Sequence, residues 1–133
     1  MGTVTSYLLD THVFLLAIQE DGKLSRRAHD VIENPASHLY LSAISAFEVA
    51  NKYRIGKLPE YAYIVENYAS IARTFGAIEL PVNAEHACFA AKFDWTHRDP
   101  FDRMLAAQAS IEHLTLITTD AVFSTLDWLE TLW

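Results

Sequence analysis

Short apolar runs alternate with longer amphipathic stretches along this chain. Tyr7-Leu8-Leu9 is a continuous apolar triplet that ends at Asp10, the pattern of a buried strand. Leu39-Tyr40-Leu41 repeats it. Residues 77–80 read as a third strand and residues 114–118 as a fourth, which stops just before Asp120. Residues 128–133 offer an edge strand. The intervening segments carry helical signals. Residues 12–19 read as a short helix. Residues 24–33 follow, capped by Ser25 and stopped by Asn34-Pro35. Residues 43–55 form a helix that Gly56 ends. Pro59 starts a single helix running to about Phe75, with Gly76 past its end. Residues 83–93 and 100–112 are helical again. Strands alternating with helices imply an α/β domain with a parallel sheet of four to five short strands, covered on both faces. Binding sites in such sheets form at the carboxyl ends of the strands. Asp10 and Asp120 each stand at or just past one of those ends.

The totals narrow the class. A chain of 133 residues reads as one domain, 1–133, able to bury a core without staples. Its 51% hydrophobic and 20% charged residues are those of an ordinary globular protein. No apolar run reaches the roughly 18 residues needed to cross a bilayer. The start lacks a basic segment followed by an apolar one, so no secretory signal is expected. Cys88 is the only cysteine, which excludes an internal disulfide and a multi-cysteine zinc site. Cytoplasmic residence follows as the expectation. The formal net charge of −7 is not the basic footprint of an ordinary nucleic-acid binder. Phosphate would have to be met through bound cations or a local basic patch.

The candidate chemistry lies in the acids, each of which has a plain structural alternative. Asp99-Pro100 is a helix start, with Asp99 as cap and Pro100 at the first helical position. Asp102 then falls in the first turn, where a carboxylate suits the helix dipole. Its direction is less comfortable. Leu105, Ala106 and Ala109 share its face, and that face should look at the sheet. A lone carboxylate there is costly unless an arginine or a metal pairs with it. Asp10, in "LLDTH", doubles as a cap for the next helix. Glu48 completes Ser45-x-x-Glu48, a capping-box pattern, and Lys52 four residues on offers an exposed ion pair. Ala46, Val49, Ala50 and Tyr53 form the apolar stripe, so periodicity alone puts Glu48 on the surface. Asp120, after "LITT", is by default a turn residue or cap. The functional case rests on four acids meeting at one sheet edge.

Other chemistries lack their residues. The histidines show neither HxH nor HExxH spacing, and there is no glycine-rich phosphate loop or G-x-S-x-G elbow. Cys88, in "HACFAAKF", reads as core. Phosphotransfer to aspartate ranks low, because "LLDTH" has neither an adjacent acid pair nor a second aspartate two positions on. Carboxylates without thiolate or paired histidine suit a hard ion, with Mg2+ as the expected cofactor and Mn2+ as its substitute. A pair of such ions suits phosphodiester hydrolysis, by activating a water and stabilising the leaving oxygen. Lys52, Arg54, Lys57, Arg98 and Arg103 flank the acids. Arg98 and Arg103 are the candidate phosphate contacts, against the alternative of a solvated surface.

The segments "LLDTHVFLLA", "LYLSAISAFEVANKYRIGKL", "ELPV", "HRDPFDRMLAAQA" and "LTLITTDAVF" occur in an order that resembles the PIN-domain ribonucleases. They are most similar to the VapC-like toxins of type II toxin–antitoxin modules, over nearly the whole chain. The resemblance implies a three-layer α/β/α PIN-like fold and a metal-dependent endoribonuclease. It places the four family acids on Asp10, Glu48, Asp102 and Asp120. Asp10 and Asp102 become the main metal ligands, and Glu48 and Asp120 serve a second metal position. Thr11, Ser42 and Thr118 fall where the family has small polar residues. Glu48 is thereby moved from the surface to the wall of a catalytic groove. The implied product ends are a 5′-phosphate and a 3′-hydroxyl, with water rather than the ribose 2′-hydroxyl as nucleophile. A cognate antitoxin, an RNA substrate and a homodimer are the implied partners. The competing reading is a non-catalytic PIN-fold binding module acting through its partner groove. Two departures bear on substrate preference. Phe47 stands where relatives commonly carry tryptophan, and "FDWTH" is an unusual lead into "HRDPFD".

Overall fold

The computed structural model describes residues 5–20, 22–56 and 59–133. Among the described residues five strands pair in parallel: β1 (Thr5–Leu9), β2 (Ser37–Ser42), β3 (Ile78–Leu80), β4 (Thr115–Ile117) and β5 (Thr131–Leu132). Their order across the sheet is β3-β2-β1-β4-β5. The helices are α1 (Thr11–Gln19), α2 (Arg26–Glu33), α3 (Ala43–Arg54), α4 (Ala62–Glu66), α5 (Tyr68–Phe75), α6 (Ala84–Lys92) and α7 (Pro100–Ile111). Single 3-10 turns lie at Pro59–Tyr61 and Ala121–Thr125.

Strand alternation builds the three layers. Leu8 and Leu116 are fully buried on one face with Leu105, Ala106 and Ala109 of α7. Their neighbours Leu9 and Ile117 point the other way, into a cluster with Val13, Phe14, Ala28 and Val49 of α1, α2 and α3. Each buried leucine stabilises the fold by roughly 1.5–3 kcal/mol, which is why so short a strand as β4 holds its place. No helix among the described residues is long and apolar enough to cross a membrane.

The strand order fixes where a site can form. The chain runs outward from β1 to β2 to β3, then returns to lay β4 on the other side of β1. Connections leave β1 and β4 toward opposite sides, which opens a crevice outside their carboxyl ends. Asp10 follows β1 directly, and its backbone N–H donates to Ile117 O at 2.9 Å. It therefore sits on the switch point.

Two local expectations need correction. The single helix expected from Pro59 to Phe75 is broken into a 3-10 turn, α4 and α5. Asn67 is the break: its φ of −118° and ψ of 22° leave the helical range, while its side-chain Nδ2 joins its backbone N–H on Tyr63 O at 2.9 Å. Gly76 ends α5 as expected, with φ at 97°. Cys88 is exposed rather than core. Helix α6 buries His86 and Ala90, four residues apart, and Cys88 between them lies on the opposite side.

Candidate active site

Asp10 occupies the cap position of α1 but makes no side-chain cap bond. Its buried carboxylate instead accepts at Oδ2 from the Thr118 hydroxyl at 2.6 Å. Thr118 Oγ1 in turn accepts from the Asp120 backbone N–H at 3.0 Å, so one hydroxyl joins the ends of β1 and β4. Burial pushes the Asp10 pKa up, and the charges of Glu48 and Asp120 add to the rise. The Thr118 hydroxyl and the Thr11 backbone oppose it. Asp120 is exposed and caps the following 3-10 turn, accepting from the Val122 N–H at 3.0 Å.

Glu48 is reached through a correction. Helix α3 starts at Ala43, with Ser42 as its cap accepting from the Ile44 N–H at 3.0 Å. Ser45 is therefore no capping residue. It is fully buried and accepts from the Thr11 hydroxyl at 2.7 Å. With Ser45 and Val49 as the inward face, Glu48 is brought to the rim of the core with its side chain only 15% exposed. Lys52 Nζ pairs with it at 2.9 Å. The expected stripe through Tyr53 is not observed, since that ring is exposed. Behind Glu48 the Tyr68 hydroxyl is buried without a hydrogen-bond partner. Burial and the charges of Glu48 and Glu79 push its pKa up, so it stays a neutral phenol.

Asp102 lies in the first turn of α7, as expected, and Asp99 caps that helix through the N–H groups of Phe101 (2.8 Å) and Asp102 (3.3 Å). Burial raises the Asp102 pKa to about 6, helped by the charges of Asp99 and Asp10 and opposed by His97. His97 was not singled out by spacing. Its Nε2 lies 2.7 Å from Asp102 Oδ2. The two are brought together by Arg103, which donates to the carbonyls of Ala90, Phe93, Trp95 and His97 and lies 4.4 Å over the Phe93 ring. The segment between α6 and α7 is thereby curled round one guanidinium. Its donors thus serve its own loop first, which leaves Arg103 a single guanidinium N–H for a phosphate. Lys52 is held by Glu48 and Arg54 by Asn51, Arg98 is exposed on the loop, and Lys57 lies outside the described residues.

Asp10 links the acids: it feels the charges of Glu48 and Asp120, and Asp102 feels the charge of Asp10. No lysine, arginine or histidine pairs with Asp10 among the described residues. Neighbouring carboxylates of which Asp10 is buried without a basic partner are the donor set of a hard divalent cation. Among the described residues the tightest grouping of three is His97, Asp99 and Asp102, whose ligand atoms lie within 4.8 Å of one another. The four acids together do not form so tight a group.

Removing the bridging hydroxyl should be felt directly. Thr118→Val leaves Asp10 Oδ2 buried and unpaired, at a cost of about 1–3 kcal/mol at pH 7. Urea melts should show a smaller loss at acid pH, because the raised Asp10 pKa leaves more of the carboxyl protonated there and a protonated carboxyl depends less on the donor. Equal losses at both pH values would mean that only packing was removed.

Fold and acids define an α/β/α protein with a carboxylate site at the switch point of a parallel sheet. The chain belongs to the PIN domain family, whose profile matches residues 7–129. Nucleases of this family generally use divalent metal ions. Three solved structures show the likeness of fold. One is DNA-bound VapBC from Salmonella typhimurium, with 16% identity, TM-score 0.67, and 96% of this chain and 97% of that one covered. Another is VapBC2 from Rickettsia felis, bound to a DNA fragment from their promoter, at 17%, 0.63, 97% and 99%. The third is FitAcB from Neisseria gonorrhoeae, at 22%, 0.62, 96% and 96%. A sequence comparison with curated proteins returns no match.

Proposed function

We propose that the chain is a Mg2+-dependent endoribonuclease acting as the toxin of a toxin–antitoxin pair, with Mn2+ as an effective substitute. The observation that carries this reading is the switch-point crevice, where the Asp10 charge raises the proton affinity of Asp102, Glu48 and Asp120 raise that of Asp10, and no basic side chain among the described residues pairs with Asp10. Asp10 and Asp102 would hold the main ion, and Glu48 and Asp120 a second position. A bound divalent ion supplies Lewis acidity and lowers the pKa of water there. The chain's own part is to keep these carboxylates ionised and oriented. Thr118 holds Asp10, Ser42 caps the helix that carries Glu48, and Thr11 fixes Ser45 on the buried side of that helix. Hydrolysis by water leaves a 5′-phosphate and a 3′-hydroxyl. Arg98, exposed on the loop before α7, remains the candidate phosphate contact. The VapBC neighbours include VapBC-5 from Mycobacterium tuberculosis, a member of the VapBC family of toxin–antitoxin systems, which supports a cognate antitoxin as partner here. The active assembly is a cytoplasmic homodimer under this reading.

The test is total RNA incubated with the purified protein in Mg2+ or in chelator, beside Asp10→Asn. Discrete cleavage that requires the ion, yields 5′-phosphate ends and vanishes in Asp10→Asn is the expected result. Cleavage that persists in chelator, or in the variant, would refute the reading.

A further inference from the structure

Two aromatic rings that touch each other stand one residue before Glu48 and Asp102, and nothing in the catalytic reading uses them. Phe47 immediately precedes Glu48 on α3 and is 61% exposed, in a protein that buries most of its large apolar side chains. Phe101 immediately precedes Asp102 on α7. The two helices touch, and the rings meet with centroids 5.9 Å apart and planes tilted by 37°. Each ring is thus tied by one peptide unit to a carboxylate of the site. Phe101 is half-buried and backs Phe47, leaving much of Phe47 open to solvent.

Resting on the nuclease reading above, we propose that Phe47, braced by Phe101, is a stacking shelf for an unpaired nucleobase next to the phosphate that the acids address. A phenyl face offers no hydrogen bond, so it accepts any base by its π-surface and reads no sequence. An acid-lined rim repels phosphate but not a neutral base, so the base is the part of a nucleic acid that can rest there without a counter-ion. Using the shelf requires a base already out of its helix. The shelf therefore favours a single strand over a duplex, and base identity must be read elsewhere. Phe47 is a substrate-positioning residue on this account.

The experiment uses the intact protein and single-stranded oligoribonucleotides carrying 2-aminopurine at successive positions, alone or annealed to a complement, in chelator and in Ca2+. Wild type should quench the fluorophore at one position of the single strand and not in the duplex. Phe47→Ala should abolish that quench and weaken binding by about 5- to 100-fold, the range that base–aromatic stacking contributes. Phe47→Trp should restore both. An unchanged thermal midpoint of Phe47→Ala checks that the fold is intact. In Mg2+, Phe47→Ala should raise KM and leave kcat close to wild type, because a shelf holds substrate and transition state alike. Phe47→Ala that binds and quenches like wild type overturns the proposal, as does equal binding of duplex and single strand or no binding by wild type. Loss of binding to a protein partner with RNA binding intact also overturns it, and marks the rings as a protein-docking patch. The two readings separate. Stacking through Phe47 without cleavage would refute the nuclease and keep the shelf, whereas cleavage with an unchanged KM in Phe47→Ala would do the reverse.

Discussion

Asp102→Asn is expected to yield a protein that is more stable than wild type without metal and inactive as a nuclease. The two effects share one cause. The Asp102 side chain is only 18% exposed, and burial lifts its pKa from 3.8 to about 6. Below pH 3.8 the carboxyl is protonated in folded and unfolded chains alike, and no penalty exists. Between 3.8 and 6 the unfolded carboxyl has ionised while the folded one still holds its proton, so stability falls as pH rises. Above pH 6 the full penalty applies, on the order of 2–3 kcal/mol for a shift of about two units. Asparagine cannot ionise and still offers an oxygen to His97. The metal-free variant should therefore melt about 5–10 °C above wild type at pH 7.5, with the gap closing toward pH 4. Mg2+ should raise the wild-type midpoint and leave the variant unmoved, because the ion offsets a charge that only wild type carries. Activity should fall by on the order of 10³-fold or more, as for other losses of transition-state charge stabilisation. Protons compete with the ion for Asp102, so wild-type metal affinity should drop steeply below pH 6. A metal-free Asp102→Asn that melts below wild type at pH 7.5 would show that the carboxylate is structurally paired and not held in reserve for a cation.

This stored cost explains why the acids were legible and their surroundings were not. "YLL", "LYL" and "LTLI" are strand cores by apolar content, and an acid at the end of such a run stands out. Asp10 and Asp120 were found that way. Asp99-Pro100 fixes the start of α7 and, through it, the inward face that carries Asp102. Hydrophobic periodicity misplaces Glu48 because it counts serine as outside. In the folded chain Ser42 and Ser45 are both buried, one closing the first turn of α3 and the other receiving the Thr11 hydroxyl. A helix face made of small hydrogen-bonded polar residues is invisible to an apolar pattern, and only the resemblance to the family turned Glu48 inward. The order of the strands was beyond reach for a different reason. It depends on which side of β1 the returning β4 takes, a choice made by packing over the whole sheet. His97 was missed because its meeting with Asp102 depends on the path of the loop before α7, which local sequence does not encode.

Arg103 sets that path, and Arg103→Ala is expected to be the most destabilising change near the site. Four of the five guanidinium N–H groups donate to carbonyls of residues 90, 93, 95 and 97, and the group lies flat against Phe93. Charged donors to carbonyls are worth about 1.5–3 kcal/mol each when lost singly. Part of the loop can rehydrate, so the net loss should be about 2–4 kcal/mol, with the thermal midpoint falling by ~10 °C. Arg103→Lys should rescue little, because an ammonium cannot serve four carbonyls in one plane or lie across a ring. With the loop released, His97 leaves Asp102. The opposition that His97 offers to the raised Asp102 pKa disappears, so the acid limb of the pH–activity profile should move to higher pH in the residual active fraction. A phosphate contact makes the contrary forecast. It predicts normal stability, substantial rescue by lysine, a raised KM and a shallower dependence of RNA binding on salt. Melting curves for the two variants decide between the roles before any substrate is known. A midpoint within a degree or two of wild type in Arg103→Ala would return Arg103 to the RNA-binding surface.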